Sequence, residues 1–250
     1  MRVLSALTRV EALMFLRNPM SVFMALLLPS LLLMLQAFVI PGTLEPIGGG
    51  GALEEFRPID FFVPVSAAVA IASVAITNYP AAVGAYREAG VLRRLGVTPV
   101  GAHRVLLAQW AVSGVTLGAA LVIAFALAGL TFGAVPPVNP VLAVLVIVSG
   151  AIAMMAVGSV IAAVAGSAQI AYGLGFLVFI ACLFTAGMWT PGPLMPEATE
   201  AIAAFTPMGA MTLALTDAWY TGAGSLAPFA VMVLWALPTG AIAVRVFRWS

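Results

Sequence analysis

Long stretches without any charged side chain constrain this chain more than any other feature of its sequence. They cover 19–44, 61–86, 105–196 and 218–244. A helix needs about 20 apolar residues to cross the hydrocarbon core of a bilayer. The third stretch is long enough for three crossings, and Pro, Gly and polar residues interrupt it at 136–140 and 165–169. The pattern predicts an all-α integral membrane protein with six transmembrane helices in a single domain, 1–250.

The predicted spans separate the charges of the chain into two sets. The spans cover about 20–40, 61–83, 105–133, 139–165, 168–190 and 226–246. All ten basic residues are Arg, and six spans place the following on one side: Arg2, Arg9, Arg17, Arg87, Arg93, Arg94, Arg104, Arg245 and Arg248. The other side receives Arg57 and most of the acids: Glu45, Glu54, Glu55, Asp60, Glu197, Glu200 and Asp217. Because basic residues collect in cytoplasmic loops, both termini are expected to be cytoplasmic.

Several residue types are absent or nearly absent, and this excludes some chemistry. Without Lys the chain cannot form a Walker A phosphate loop or a Schiff base. One His and one Cys cannot form a His/Cys metal site. The Lys-free, Ala- and Arg-rich composition is typical of a GC-rich genome, which suggests a bacterial cell membrane. The first apolar run is too long for a signal-peptide core, and we expect it to be retained.

Residues 2–17 have the pattern of an amphipathic helix. Val3, Leu7, Val10 and Met14 recur at helical spacing, with Arg2 and Arg9 on the other side. Such a helix is expected to lie in the membrane interface. The alternative is an ordinary charged leader.

The segment 84–100, between the second and third spans, combines charged and apolar residues. We predict a short helix over about 86–95 that ends at Gly96 and Thr98-Pro99. Its residues are Tyr86, Arg87, Glu88, Val91, Leu92, Arg93, Arg94 and Leu95. This surface either docks into a groove of a soluble partner or lies on lipid head groups, and physics alone favours neither.

The region that follows the fifth span is rich in Pro and too apolar for a soluble loop. We predict that 191–222 forms short re-entrant helices buried within the protein. The residues that characterise this outer region are Met188, Trp189, Pro191, Pro196 and Pro207.

Two spans carry stripes that could contact a transported molecule. On the second span the stripe comprises Ser66, Ser73 and Thr77, with Asn78 at the inner end; on the fifth it comprises Tyr172, Phe176 and Phe179. Hydroxyl and aromatic groups together suit an amphipathic or apolar cargo. The alternatives for each stripe are lipid contact and helix packing.

The order of these parts resembles the permease subunits of type-two ATP-binding-cassette exporters, and in particular small bacterial multidrug or lipid efflux permeases. The resemblance covers the whole chain. It rests on Arg17-Asn18-Pro19 after the first helix, on Tyr-Arg-Glu-x-Gly-x-Leu-x-Arg-Leu-x-x-Thr-Pro at 86–99, and on Gly-x-x-x-Pro…Pro at 187–196 before Thr206-Pro207.

The resemblance implies a role for each of these parts. The 86–99 segment would be the coupling helix that touches the ATPase, spans two and five would line the central cavity, and the outer segment would close the exit. It also implies a dimer of permease subunits, formed with itself or a related chain. The chain would bind no cofactor, and the partner ATPase would hold ATP and Mg.

The source of energy for transport can also be inferred from the residues. No predicted span has an ionisable residue near its middle, whereas ion-coupled transporters usually need one. Energy is therefore expected to enter from outside the spans, and the chain to be non-catalytic. The alternatives are an ATP-independent secondary transporter, a membrane scaffold and an intramembrane enzyme.

Overall fold

The structure is a computed structural model that describes residues 2–48, 54–96 and 103–247, and side chains in these ranges except 2–7, 93, 95, 96 and 103–106. The described residues form ten α-helical segments, a single 3₁₀ turn at Gly192–Leu194, and no strand. The helices are α1 (Arg2–Leu16), α2 (Pro19–Val39), α3 (Pro58–Glu88), α4 (Val91–Gly96), α5 (His103–Phe132), α6 (Pro140–Val164), α7 (Ala168–Thr185), α8 (Glu197–Ala203), α9 (Pro207–Tyr220) and α10 (Ala227–Val246).

Six of these helices are long and apolar enough to cross a bilayer: α2, α3, α5, α6, α7 and α10. This confirms the predicted fold class. Proline is the first or second residue of four of the six, α2, α3, α6 and α10, where a missing N–H costs nothing. Asn139 and Ser167 add side-chain caps: each accepts a hydrogen bond from a backbone N–H of the first turn of α6 or α7.

Helix α3 lies at the centre of the bundle. It packs against α2, α5, α6, α7 and α9. The most apolar part of α3 is 100% buried inside the chain, whereas the corresponding part of α10 is 11% buried. Spans α2, α5, α6 and α7 therefore surround α3, α10 packs against α6 and α9 instead, and the outer faces are left for lipid or for another protein.

The connections bring the helix ends together in two groups. The arginine-rich end comprises α1, the end of α3, α4, and the loop 165–168 between α6 and α7. The opposite end comprises the loop 133–139 and the region 186–226. Placement of the arginine-rich end in the cytoplasm remains a prediction from the charge pattern.

Two helices differ in extent from the sequence expectation. Helix α3 runs from Pro58 to Glu88, beyond the predicted span 61–83: at its first turn the Asp60 carboxylate accepts a hydrogen bond from the Arg57 backbone N–H, and at its other end the helix continues into the polar residues that precede Gly90. The single helix expected over 86–95 is divided at Gly90, whose φ of +66° favours glycine and ends α3 before α4 begins.

Candidate functional site

The segment 84–96 is fixed to the rest of the arginine-rich end by three consecutive side chains. We call it the coupling segment; residues 97–100, which the sequence analysis included, lie outside the described residues. The first of the three is Tyr86, whose phenol donates a hydrogen bond to the Glu11 carboxylate of α1. Only 7% of Tyr86 and 6% of Glu11 is exposed. Burial raises the pKa of Glu11, and the Tyr86 hydrogen bond lowers it in part.

Arg87 joins the coupling segment to the ends of α6 and α10. Its Nη1 donates to the carbonyl oxygen of Ala162 at 3.0 Å and to that of Ala165. These carbonyls belong to the last turn of α6 and the residue beyond it, where helix carbonyls lack partners within the helix. The Arg87 guanidinium also lies 5.3 Å from the centroid of the Phe247 ring. Arg87 is thus committed to contacts within the chain.

Glu88 and Gly84 join the coupling segment to the loop before α7. The Glu88 carboxylate accepts a hydrogen bond of 3.3 Å from the backbone N–H of Ala168, the first residue of α7. A carboxylate at this position is favoured by the helix dipole. A Cβ added at Gly84 would lie 2.6 Å from the Ser167 carbonyl oxygen, so the two backbones approach too closely for a side chain.

The remaining coupling residues divide between the core and the surface. Leu92 is fully buried, and Val91 is half-buried against the same cluster. Arg94 is exposed, as is Glu88 despite its contact with α7. The side chains of Arg93 and Leu95 lie outside the described ones. The described surface that α4 offers to another protein is therefore charged, because its central apolar residue faces inward.

The hydroxyl stripe of α3 is buried inside the chain. Ser66 donates to the Val63 carbonyl at 2.6 Å and Ser73 to the Val69 carbonyl at 2.7 Å, while Thr77 donates to the Ser73 carbonyl. The Asn78 amide also donates to the Ser73 carbonyl, at 3.2 Å. The three hydroxyls are thus satisfied by their own helix and contact no open surface of this chain.

A wide, π-helical turn at Ser73–Asn78 interrupts α3 near the stripe. Two carbonyls of this turn, at Ala75 and Ile76, contact glycines of neighbouring helices. A Cβ added at Gly158 of α6 or at Gly175 of α7 would overlap these oxygens. The turn therefore fits between α6 and α7 only because both contact positions lack a side chain.

The aromatic stripe of α7 lies partly on the outside of the bundle. Phe179 is buried, whereas Phe176 is 51% exposed and stacks on it with ring centroids 6.4 Å apart. The Tyr172 hydroxyl lies 3.1 Å from the Ser21 hydroxyl of α2 and forms a hydrogen bond with it. Phe176 is the stripe residue that presents an open apolar surface.

The predicted gate residues lie together at the opposite end. The Gln36 amide of α2 donates to the Met188 carbonyl at 2.8 Å, and the Trp189 ring lies 6.2 Å from that of Phe184. Pro191 is buried, Pro196 is exposed just before α8, and Pro207 is buried as the first residue of α9. Helices α8 and α9 meet at 109°, the geometry of a broken span or a re-entrant loop.

Several residues that organise both ends were not singled out from the sequence. Glu11 and Gln36 are the polar partners of Tyr86 and of the Met188 carbonyl. Arg57 forms a two-bond ion pair with Asp60, with Nη2–Oδ1 at 2.7 Å, and donates to the Phe132 carbonyl at 2.8 Å. Glu11 in an apolar helix and Arg57 on the acidic side were visible exceptions to their surroundings, and each proves to have a distant partner.

The described residues form a six-span bundle with a short charged helix between spans two and three. The sequence pattern of the ABC-2 type transporter family matches residues 2–220. The chain belongs to this family, which provides the membrane component of ABC transporters. No curated protein and no solved structure gives a match to the chain.

Proposed function

We propose that this chain is the permease of an ATP-driven exporter that moves an amphipathic or hydrophobic small molecule or lipid out of the cytoplasm or the inner leaflet. The observation that carries the proposal is the fixation of the coupling segment. Tyr86, Arg87 and Glu88 connect it to α1, α6 and α7 in turn. A displacement of α4 by a bound ATPase would therefore be transmitted to α1, α6 and α7 together.

The distribution of charge supports an external energy source. Among the described side chains, those of the six candidate spans that carry a charge lie near helix ends: Asp60, Arg87, Glu88 and Arg245. An ion-coupled carrier usually needs an ionisable group inside the membrane. ATP and Mg would accordingly be held by a separate ATPase subunit, and this chain would supply no catalytic residue.

The cargo surface is proposed where α7 leaves the bundle uncovered. Phe176 presents an open apolar surface there, while Tyr172 and Asn78 lie at the inner end of the same region and line one crevice. In a pair of permease subunits, two such faces would enclose an aromatic cavity between them. The segment from Met188 to Pro207 would close this cavity at the outer end.

A pull-down tests the proposal. The tagged chain is expressed with the ATPase encoded nearest to it, and extraction in mild detergent is expected to recover the two in an approximately one-to-one ratio. Arg94→Glu, alone and with Arg93→Glu, is expected to reduce the recovered ATPase several-fold, because like charges across an interface are costly. Arg17→Glu is the control, since Arg17 is exposed at the same end but lies outside the coupling segment.

Either result is informative. Loss of the ATPase with the Arg94 variant but not with the Arg17 variant would place the coupling surface on α4. No association of the unmodified chain with any candidate ATPase would contradict the proposal and favour an ATP-independent transporter or a scaffold.

A further inference from the structure

A small crevice at the arginine-rich end contains polar groups that neither the fold nor the proposed coupling uses. It has a volume of about 130 Å³ and lies between α1, the start of α2, the inner half of α3 and the start of α7. Its polar lining comprises Glu11, Asn18, Ser21, Asn78, Tyr86, Gln109 and Tyr172. Apolar side chains complete the walls.

Two of the lining amides have buried oxygens without a partner. Asn78 and Gln109 are each 7% exposed, and neither Asn78 Oδ1 nor Gln109 Oε1 accepts a hydrogen bond from the part of the chain that the structure describes. A buried polar atom left unsatisfied is costly, and in native proteins it usually marks a missing partner. Both residues line the crevice, and the terminal torsion of an amide side chain has a broad energy minimum, so each oxygen has some freedom to rotate.

The chemistry of the lining selects a cation that carries hydrogen-bond donors. Both unsatisfied atoms are acceptors, and the third strong acceptor is the Glu11 carboxylate. This carboxylate accepts one bond from Tyr86 and has lone pairs for more. Among the described residues that line the crevice none is basic, so a phosphate would find no counter-charge there. A primary ammonium has three donors and a positive charge, which match the three acceptors.

The size of the crevice limits what can enter. Its volume is below the 300–1,000 Å³ or so of pockets that enclose a drug-sized ligand. An ammonium group with its neighbouring methylenes fits, while the remainder of the molecule, including any phosphate, must lie outside the crevice. We propose that this crevice binds the primary ammonium group of an amphiphile, through Asn78, Gln109 and Glu11. The amphiphile is either a phosphatidylethanolamine or a soluble amphipathic amine, and both offer the same group.

Native mass spectrometry of the full chain in detergent tests this inference. Phosphatidylethanolamine is expected to remain bound, and phosphatidylcholine of the same acyl chains is not, because a quaternary ammonium has no N–H donor. Gln109→Met keeps the side-chain volume but removes the amide, and it is expected to weaken retention by about 10-fold or more, as for loss of a hydrogen bond to a charged group. Gln169→Met, at an exposed position on α7 outside the crevice, is the matched control.

Competition identifies the source of the ammonium group. If dodecylamine displaces the phospholipid at equal concentration, soluble amines share the site; if it does not, the site belongs to the phospholipid, and both results support ammonium binding. Equal retention of the two phospholipids would overturn the inference, and so would unchanged retention in Gln109→Met. Since Gln109 Oε1 has no partner in the chain, Gln109→Met is expected to fold, and its unfolding temperature checks this. The assay needs no ATPase, so failure here is distinct from failure of the proposed transport function.

Discussion

The phenol of Tyr86 donates a hydrogen bond to the carboxylate of Glu11, across 75 positions of the chain. This bond joins the coupling segment to the amphipathic helix α1, and both side chains are almost completely buried. A movement of either helix must therefore involve the other or break the bond.

Tyr86→Phe is expected to lower the free energy of unfolding by about 1–3 kcal/mol, because it leaves a buried carboxylate without its donor. Thermal unfolding in detergent, followed by circular dichroism, measures the change. Tyr79→Phe is the matched control on the same helix, since the Tyr79 hydroxyl bonds only to the neutral Ser159 hydroxyl, at 3.2 Å. Equal losses in the two variants would contradict the importance of the Glu11 contact.

Stability is expected to depend on pH through Glu11. Burial raises the pKa of Glu11 above its ordinary value of 4.5, so the folded state binds this proton more tightly than the unfolded state does. The contribution to stability is then fully present below the unfolded pKa and is lost as pH rises through the higher folded pKa. We expect Glu11→Gln to remove this part of the pH dependence in unfolding scans from about pH 4 to 8. A variant that keeps the same pH dependence would show that other groups cause it.

Arg57 and Asp60 are expected to be coupled energetically. Arg57→Met should lower the free energy of unfolding by about 1–3 kcal/mol, because it leaves the Asp60 carboxylate largely buried and without its ion-pair partner. The loss is expected to be smaller than that of a fully buried ion pair, because Arg57 is partly exposed. Adding Asp60→Asn should recover part of that loss. Strict additivity of the two single changes would mean that the pair contributes no interaction energy of its own.

Alanine substitutions at Gly175 and at Gly173 should change the free energy of unfolding in opposite directions. Gly175→Ala places a methyl group against the Ile76 carbonyl and is expected to cost about 1–3 kcal/mol through overpacking. Gly173→Ala meets open space on the same helix and should stabilise by up to about 1 kcal/mol through helix propensity. The unfolding temperatures of the two variants, compared with that of the unmodified chain, test this prediction. A higher unfolding temperature for Gly175→Ala would mean that the π-helical turn of α3 moves freely.

The orientation in the membrane can be tested with single cysteines. In a Cys182→Ala background, Glu54→Cys is expected to react with a membrane-impermeant maleimide in intact cells. Arg94→Cys is expected to react only after permeabilisation, because the charge pattern places the arginine-rich end in the cytoplasm. The reverse pattern would invert the predicted topology.

The number of spans could be predicted from the sequence, because the length of an apolar run depends only on the residues of that segment. It was also sufficient to single out Tyr86, Arg87 and Glu88 as a group. It could not show that these residues are held by contacts within the chain, because their partners at Glu11, Ala162 and Ala168 lie on other helices. The burial of Ser66, Ser73 and Thr77 was equally hidden, because a hydroxyl stripe has the same spacing whether it faces a cavity or a neighbouring helix.

The position of α3 between two arginine contacts limits how this permease can move. At one end of α3, Arg57 holds the last carbonyl of α5; at the other, Arg87 holds the last turn of α6. Sliding α3 by one helical turn, about 5.4 Å, would break both contacts. The two contacts thus join α3 to α5 at one end and to α6 at the other. Alternating access, if the chain performs it, is expected to come from these three helices tilting together against their surroundings.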